Sequence, residues 1–103
     1  MTRKKRPFTL IGKDVVLKTR GGSIFAGTVE SKVGTELMLS RSRRIWFWRG
    51  AFTLSEISLT GIDKAGSRVA TEVPAVVVTD AVEILPLTPA AKERIYSCSP
   101  DGK

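Results

Sequence analysis

Apolar and polar residues alternate along DVVLKTR (14–20), with Val15 or Val16 and Leu17 on the side to be buried. Period-two alternation of this kind marks a strand half sunk in a core. Gly21-Gly22 follows, and paired glycines supply the positive φ values of a tight hairpin turn. SIFAGTVES (23–31) returns, with Phe25, Gly27 and Val29 on one face and Ile24, Ala26 and Thr28 on the other. Gly27, inside a strand, signals strong bending or another chain passing close by. KVGT (32–35) turns again, ELMLS (36–40) makes a third strand with Leu37 and Leu39 facing one way, and RRIWFW (43–48) makes a fourth. Short turns between successive strands predict an antiparallel meander closing into a small barrel.

The alternation then stops. TLSEISLTG (53–61) opens with Thr53 and carries Glu56 three residues on, a capping box, and Gly61 suits a helix C-cap. A short helix over 54–60 is expected, with Leu54, Ile57 and Leu59 turned inward. IDKAGSR (62–68) reads as a polar loop. VPAVVVTDAVEILPL (73–87) is the most strand-like segment. Pro74 and Pro86 confine its ends to edges, because proline cannot donate to a ladder, and Thr79-Asp80 bends it into two pieces. Thr88-Pro89 is an N-cap followed by proline at the first helical position, opening a second short helix over 89–96 that Ala91 and Ile95 dock. The expected fold is mostly β: an antiparallel barrel of five to six strands, with an inserted helix at 54–60 and a C-terminal helix at 89–96. A flexible basic arm (1–12), one domain (13–96) and a frayed tail (97–103) make up the chain.

A chain of 103 residues holds one small core, and chains this size often gain stability by self-association. The formal charge is +7, from 17 basic and 10 acidic residues. Arg3, Lys4, Lys5 and Arg6 supply four of those charges, leaving +3 for the remainder. That is weak for a dedicated DNA binder, although the arm by itself suits phosphate contacts by counterion release. No apolar run approaches the roughly 20 residues that span a bilayer, and the basic start MTRKKRPFTL has no secretory apolar stretch behind it. A single cysteine, Cys98, excludes an internal disulfide. These features lead us to expect a cytoplasmic protein with no membrane partner. Histidine is absent, which removes the commonest general base and metal ligand. Cys98 has no base beside it, and the carboxylates lack metal-loop spacing. The expectation is a protein that is not an enzyme and takes no metal or cofactor.

Two resemblances add to this. The strand, glycine turn and Phe25-x-Gly27 resemble the first motif of Sm-like proteins over roughly residues 14–40, and an SH3-like barrel shows the same pattern. This implies a strongly bent five-stranded barrel. Sm-like proteins read uracil with an Asp and an Asn that ESKVGTELML (30–39) lacks, so the likeness implies the fold more than the RNA binding. The second half is similar to a family of small phage and prophage proteins of unknown function, with an Arg-Arg-Ile-Trp-x-Trp-x-Gly-Ala core. The matching residues are Arg43, Arg44, Ile45, Trp46, Trp48, Gly50, Ala51, Leu54, Ser55, Glu83, Ile84, Pro86 and Thr88. That resemblance covers residues 14–95 and implies a phage source. Non-enzymatic phage proteins of this size include oligomeric sponges for nucleotide signals of bacterial immunity. By analogy, the expected function is a phage-encoded anti-defence sponge.

The densest chemistry is Trp46, Phe47 and Trp48 between Arg44 and Arg49. A period of two puts Ile45 and Phe47 on one face with Arg43, and Arg44, Trp46 and Trp48 on the other. One small core cannot take both faces, so an apolar face needs cover. Three readings stay open. A helix covers it; or Phe25, Trp46, Phe47 and Trp48 form a homo-oligomer interface, where Trp and Arg are frequent hot spots; or it touches a ligand. In the last case indoles stack on bases at about 1–3 kcal/mol each, and arginine forks grip phosphates. The ligand wall is then Arg41, Arg43, Arg44, Trp46, Trp48 and Arg49, with Thr53 and Ser55 presenting the capped helix end. The expected partner is a small nucleotide-type ligand held by a homo-oligomer. RNA or single-stranded DNA is the alternative, and a phage structural or protein-interaction module is a third.

Overall fold

A computed structural model describes residues 8–103. The chain runs β1 (Asp14–Thr19), β2 (Ile24–Val33), β3 (Glu36–Phe47), α1 (Leu54–Thr60), β4 (Arg68–Val69), β5 (Val73–Val78), β6 (Ala81–Pro86) and α2 (Pro89–Tyr96). Among the described residues the fold is mostly β, with six antiparallel strands in one sheet and two short helices. The strand order is β4-β3-β2-β1-β6, and β5 pairs with the other half of the β3 edge that carries β4. β5 and β6 thus lie on opposite borders of the sheet while only Thr79 and Asp80 join them. The three residue steps from Val78 to Ala81 reach about 10–11 Å at most, so the sheet must curl strongly for the chain to cross. No β5–β6 pairing closes it among the described residues.

The third and fourth expected strands are one strand. Arg41 takes a positive φ of 51° in the middle of β3, which absorbs the irregularity as a bulge instead of a turn. The β2–β3 register shifts at the same place, between Ala26 and Thr28. Gly27 sits there, and a Cβ on it would lie 3.1 Å from the Ser40 carbonyl oxygen and 3.2 Å from Leu39 Cβ. What passes close to this glycine is the same chain's β3, not another chain. β4 is a further strand that begins at the last residue of the expected polar loop, too short for any alternation to show.

Both faces of the central strands are buried, each against a different core. Val15, Leu17, Phe25, Val29, Leu37, Leu39 and Val78 fill the concave side. Val16, Ile24, Ala26 and Ile45 face the other way, onto Ile57 of α1, Ile95 of α2, Ile62, Val69 and Cys98. Each fully buried Ile or Leu contributes about 1.5–3 kcal/mol relative to exposure. The helices therefore act as the lid that the second apolar face of β1 and β2 requires.

The two helices form over the ranges that their caps announce. Thr53 Oγ1 accepts from the Glu56 N–H, and Thr88 Oγ1 accepts from the Ala91 N–H. Thr88 also donates its hydroxyl to the Leu59 carbonyl at 2.8 Å, which ties the start of α2 to the end of α1. Leu59, expected inside, is exposed. A seven-residue helix turns only Leu54, Ile57 and Ser58 toward the sheet.

Residues 1–7 of the expected basic arm lie outside the described residues. Phe8 and Leu10 pack against the concave core, and the Gly12 N–H donates to the Val29 carbonyl at 2.7 Å. The segment after α2, expected to fray, lies along β4. The Val69 N–H donates to the Ser99 carbonyl, and the Gly66 N–H to that of Gly102.

Candidate functional site

The end of β3 breaks the period of two. Ile45 pairs with Val69 and Phe47 with Arg68, and the register shifts between them, leaving Trp46 as a bulged residue. Ile45 stays in the core while Trp46 is 52% and Phe47 43% exposed, so both rings reach solvent. Trp48 turns back half-buried against the helix-side core, and its indole N–H donates to the Ala51 carbonyl at 3.2 Å. Neither of the two face assignments drawn from strict alternation holds, because the bulge falls inside the aromatic run.

Guanidinium groups interleave with these rings. Arg68 lies 5.2 Å from the Trp46 ring centre and 6.0 Å from that of Phe47. Arg49 lies 5.9 Å from Phe47, and Arg44 lies 4.7 Å from Phe25. Such contacts contribute about 0.5–1 kcal/mol each at exposed sites and hold ring and charge in register. Two grooves lie along this stretch, one beside Trp46 and one beside Phe47. One, of about 260 Å³, is lined by the Gly21–Gly22 turn, Ser23, Arg44, Trp46 and Trp48. The other, of about 320 Å³, is lined by Phe47, Arg49, Gly66, Arg68, Asp101 and Gly102. A third, of about 360 Å³, adjoins the first through Gly22, Ile24 and Trp48, and adds Lys18, Thr53 and the 94% exposed Phe52.

Of the expected ligand wall, Arg44, Trp46, Trp48 and Arg49 come together on this surface. Arg43 does not. Its side chain is inside, only 7% exposed. Nε donates to the Ala70 carbonyl at 2.8 Å, Nη1 to that of Tyr96 at 3.0 Å, and Nη2 to those of Val69 at 2.9 Å and Cys98 at 2.8 Å. It clamps β3 to the strand beside it and to the C-terminal end of α2, where helix carbonyls favour a cation. Arg41 also points elsewhere, pairing with Glu72 at 3.8 Å and lying 5.4 Å from the Tyr96 ring centre. Ser55 is exposed and lines none of the three grooves, whereas Thr53 lines the third with its hydroxyl engaged in capping. Phe25, expected at an oligomer interface, is buried in the chain's own concave core.

Sequence reasoning missed Lys18, Phe52 and Asp101, and it placed Arg68 only in a polar loop after α1. Arg68 reaches Phe47 only through the β4 pairing, and Asp101 reaches the groove only because the last segment folds back. Neither carries a local signal. The Ser99 hydroxyl and the Lys103 N–H donate to Asp101 and hold its carboxyl below the usual carboxylate range. Burial pushes the Cys98 thiol up against the opposing pull of Arg43 and Arg94, which keeps it a protonated core residue. Among the described residues no three His, Cys, Asp or Glu side chains gather as a metal would need, and no helix is long and apolar enough to cross a membrane.

No curated protein and no solved structure matches the chain. The family model that does match is a domain of unknown function, DUF6948, over residues 12–95. On a match of that extent, this chain belongs to the DUF6948 family.

Proposed function

We propose that this protein is a non-catalytic binder of a nucleotide-type ligand, with the base stacked on the outward rings of Trp46 and Phe47 and the phosphates held by Arg44, Arg49 and Arg68. The observation that carries the reading is the bulge at the end of β3, which turns two aromatic rings to solvent with Arg49 and Arg68 over them and Arg44 lining the groove beside Trp46. A ring face supplies stacking of about 1–3 kcal/mol per base, and paired arginines supply anion selectivity without a metal. In the setting that the phage resemblance implies, the role is sequestration of a nucleotide immune signal.

The test is calorimetric titration with cyclic di- and trinucleotides, ADP-ribose, ADP and a short oligoribonucleotide. Trp46→Ala and Arg44→Ala should each weaken the ligand that binds by tenfold or more while the far-ultraviolet spectrum stays that of the wild type. Unchanged affinity in both variants rejects this surface as the site.

A second reading, a single-stranded nucleic acid, is favoured by the first and third grooves adjoining through Gly22, Ile24 and Trp48, with Arg44 and Lys18 along them. A strand laid across them would lose affinity by about 0.7 log units per phosphate contacted for each tenfold rise in salt. A single nucleotide in one groove would show a much shallower slope.

A further inference from the structure

The groove beside Phe47 holds one acidic side chain among its arginines, and the fold holds that carboxylate in place. Asp101 Oδ1 accepts from the Ser99 hydroxyl at 2.8 Å and from the Lys103 N–H at 3.1 Å, so both bonds fall on one oxygen and Oδ2 takes neither. Asp101 makes none of the ion pairs found among the described residues. The turn that carries it is fastened to the loop before β4 by the Gly66 N–H, which donates to the Gly102 carbonyl at 3.1 Å. Both glycines have positive φ, and a Cβ on Gly66 would lie 2.8 Å from Arg49 Cδ. Bare backbone thus lets the Arg49 stem lie along the wall beside the acid.

A carboxylate in such a place opposes a bare polyanion. It favours a ligand that brings hydroxyl donors together with its phosphates. A ribose does this, and a carboxylate accepting from ribose hydroxyls is a general solution for reading nucleosides. A groove of about 320 Å³ has room for a single nucleotide. Resting on the nucleotide reading above, we propose that Asp101 is a specificity-determining acceptor for a ribose hydroxyl, with Phe47 stacking the base and Arg49 and Arg68 holding the phosphates.

The experiment measures ADP, 2′,3′-dideoxy-ADP and tripolyphosphate by calorimetry against the full chain, Asp101→Asn and Ser99→Ala. The wild type should prefer ADP over the dideoxy analogue by about tenfold, the low end for a hydrogen bond to a charged group at an exposed site. Asp101→Asn, which keeps the Oδ1 acceptor of the turn, should bring that ratio close to one and bind tripolyphosphate more tightly. Ser99→Ala keeps the charge but loosens the carboxylate, so the ratio should fall without any gain for tripolyphosphate. If Asp101→Asn tightens all three probes alike, Asp101 only repels anions and the proposal is wrong. An unchanged ratio also overturns it, because the hydroxyls are then read elsewhere. Should the wild type bind none of the three, nor any ligand of the earlier panel, the nucleotide reading itself falls and takes this one with it.

Discussion

Replacing Arg43 with methionine keeps the length of the apolar stem and removes the guanidinium from a site where it is 7% exposed. Four carbonyls, from Val69, Ala70, Tyr96 and Cys98, then lose a charged donor at 2.8–3.0 Å. A hydrogen bond to a charged group is worth about 1.5–3 kcal/mol, but four that share one group do not add. A buried carbonyl left without a donor costs about 1–3 kcal/mol, so with incomplete additivity about 3–5 kcal/mol is the expected loss. A domain of this size has about 5–15 kcal/mol in all, so Arg43→Met should be marginal or unfolded at room temperature. Arg43→Lys offers three donors on one compact nitrogen to acceptors spread around a fork, and should lose about 2–3 kcal/mol. Urea unfolding followed by tryptophan fluorescence reads both, with Arg44→Met as the exposed control. Stability of Arg43→Met within about 1 kcal/mol of the wild type would refute the clamp. Nucleotide affinity separates the roles. Folded Arg43→Lys should bind as the wild type does, and a fully stable Arg43→Lys that lost binding would return Arg43 to the ligand wall.

Gly27→Ala would push a methyl group to 3.1 Å from the Ser40 backbone oxygen, which cannot move without disturbing the β2–β3 pairing. The expected cost is about 1–3 kcal/mol, seen as a lower Tm; a Tm equal to the wild type's would mean the strands can part there freely. Tyr96 is the single tyrosine, and burial pushes its hydroxyl up to about 12 from 10.0. The folded state holds that proton more tightly, so its share of stability is intact below pH 10.0 and is lost as pH rises toward about 12. Tyrosinate absorbance should show the high midpoint when folded and the ordinary one in urea, and Tyr96→Phe should lack this alkaline loss. Burial alone would raise Asp14, but bonds from Thr28 and from Lys92, whose Nζ lies 3.0 Å away, outweigh it and lower its pKa below 3.8. Its contribution is therefore present above pH 3.8 and lost as pH falls through the lowered value, and Asp14→Asn should flatten that acid limb.

Strand alternation in 14–20 and 23–31, the glycine turn between them, the bend at Thr79-Asp80 and both capped helices were legible because each rests on local sterics. Period-two side chains, positive φ at glycine and a hydroxyl capping an N–H three residues on need no distant partner. The family-like run from Arg43 to Ala51 likewise marked the region where rings and charges concentrate. Which of those side chains face solvent was decided elsewhere. Arg43 and Arg44 are neighbours of one type, yet Arg43 is buried because α2 and the β4 segment bring four carbonyls to it. Arg44 stays outside over Phe25. The bulge that exposes both Trp46 and Phe47 exists only where two-residue β4 pairs with β3, and the same pairing brings Arg68 to the rings. Asp101 arrives from still farther along the chain. The sequence by itself determined the elements and the chemistry available; the tertiary structure decided which arginine is a clamp and which residues make a groove, because burial depends on what distant segments fold against.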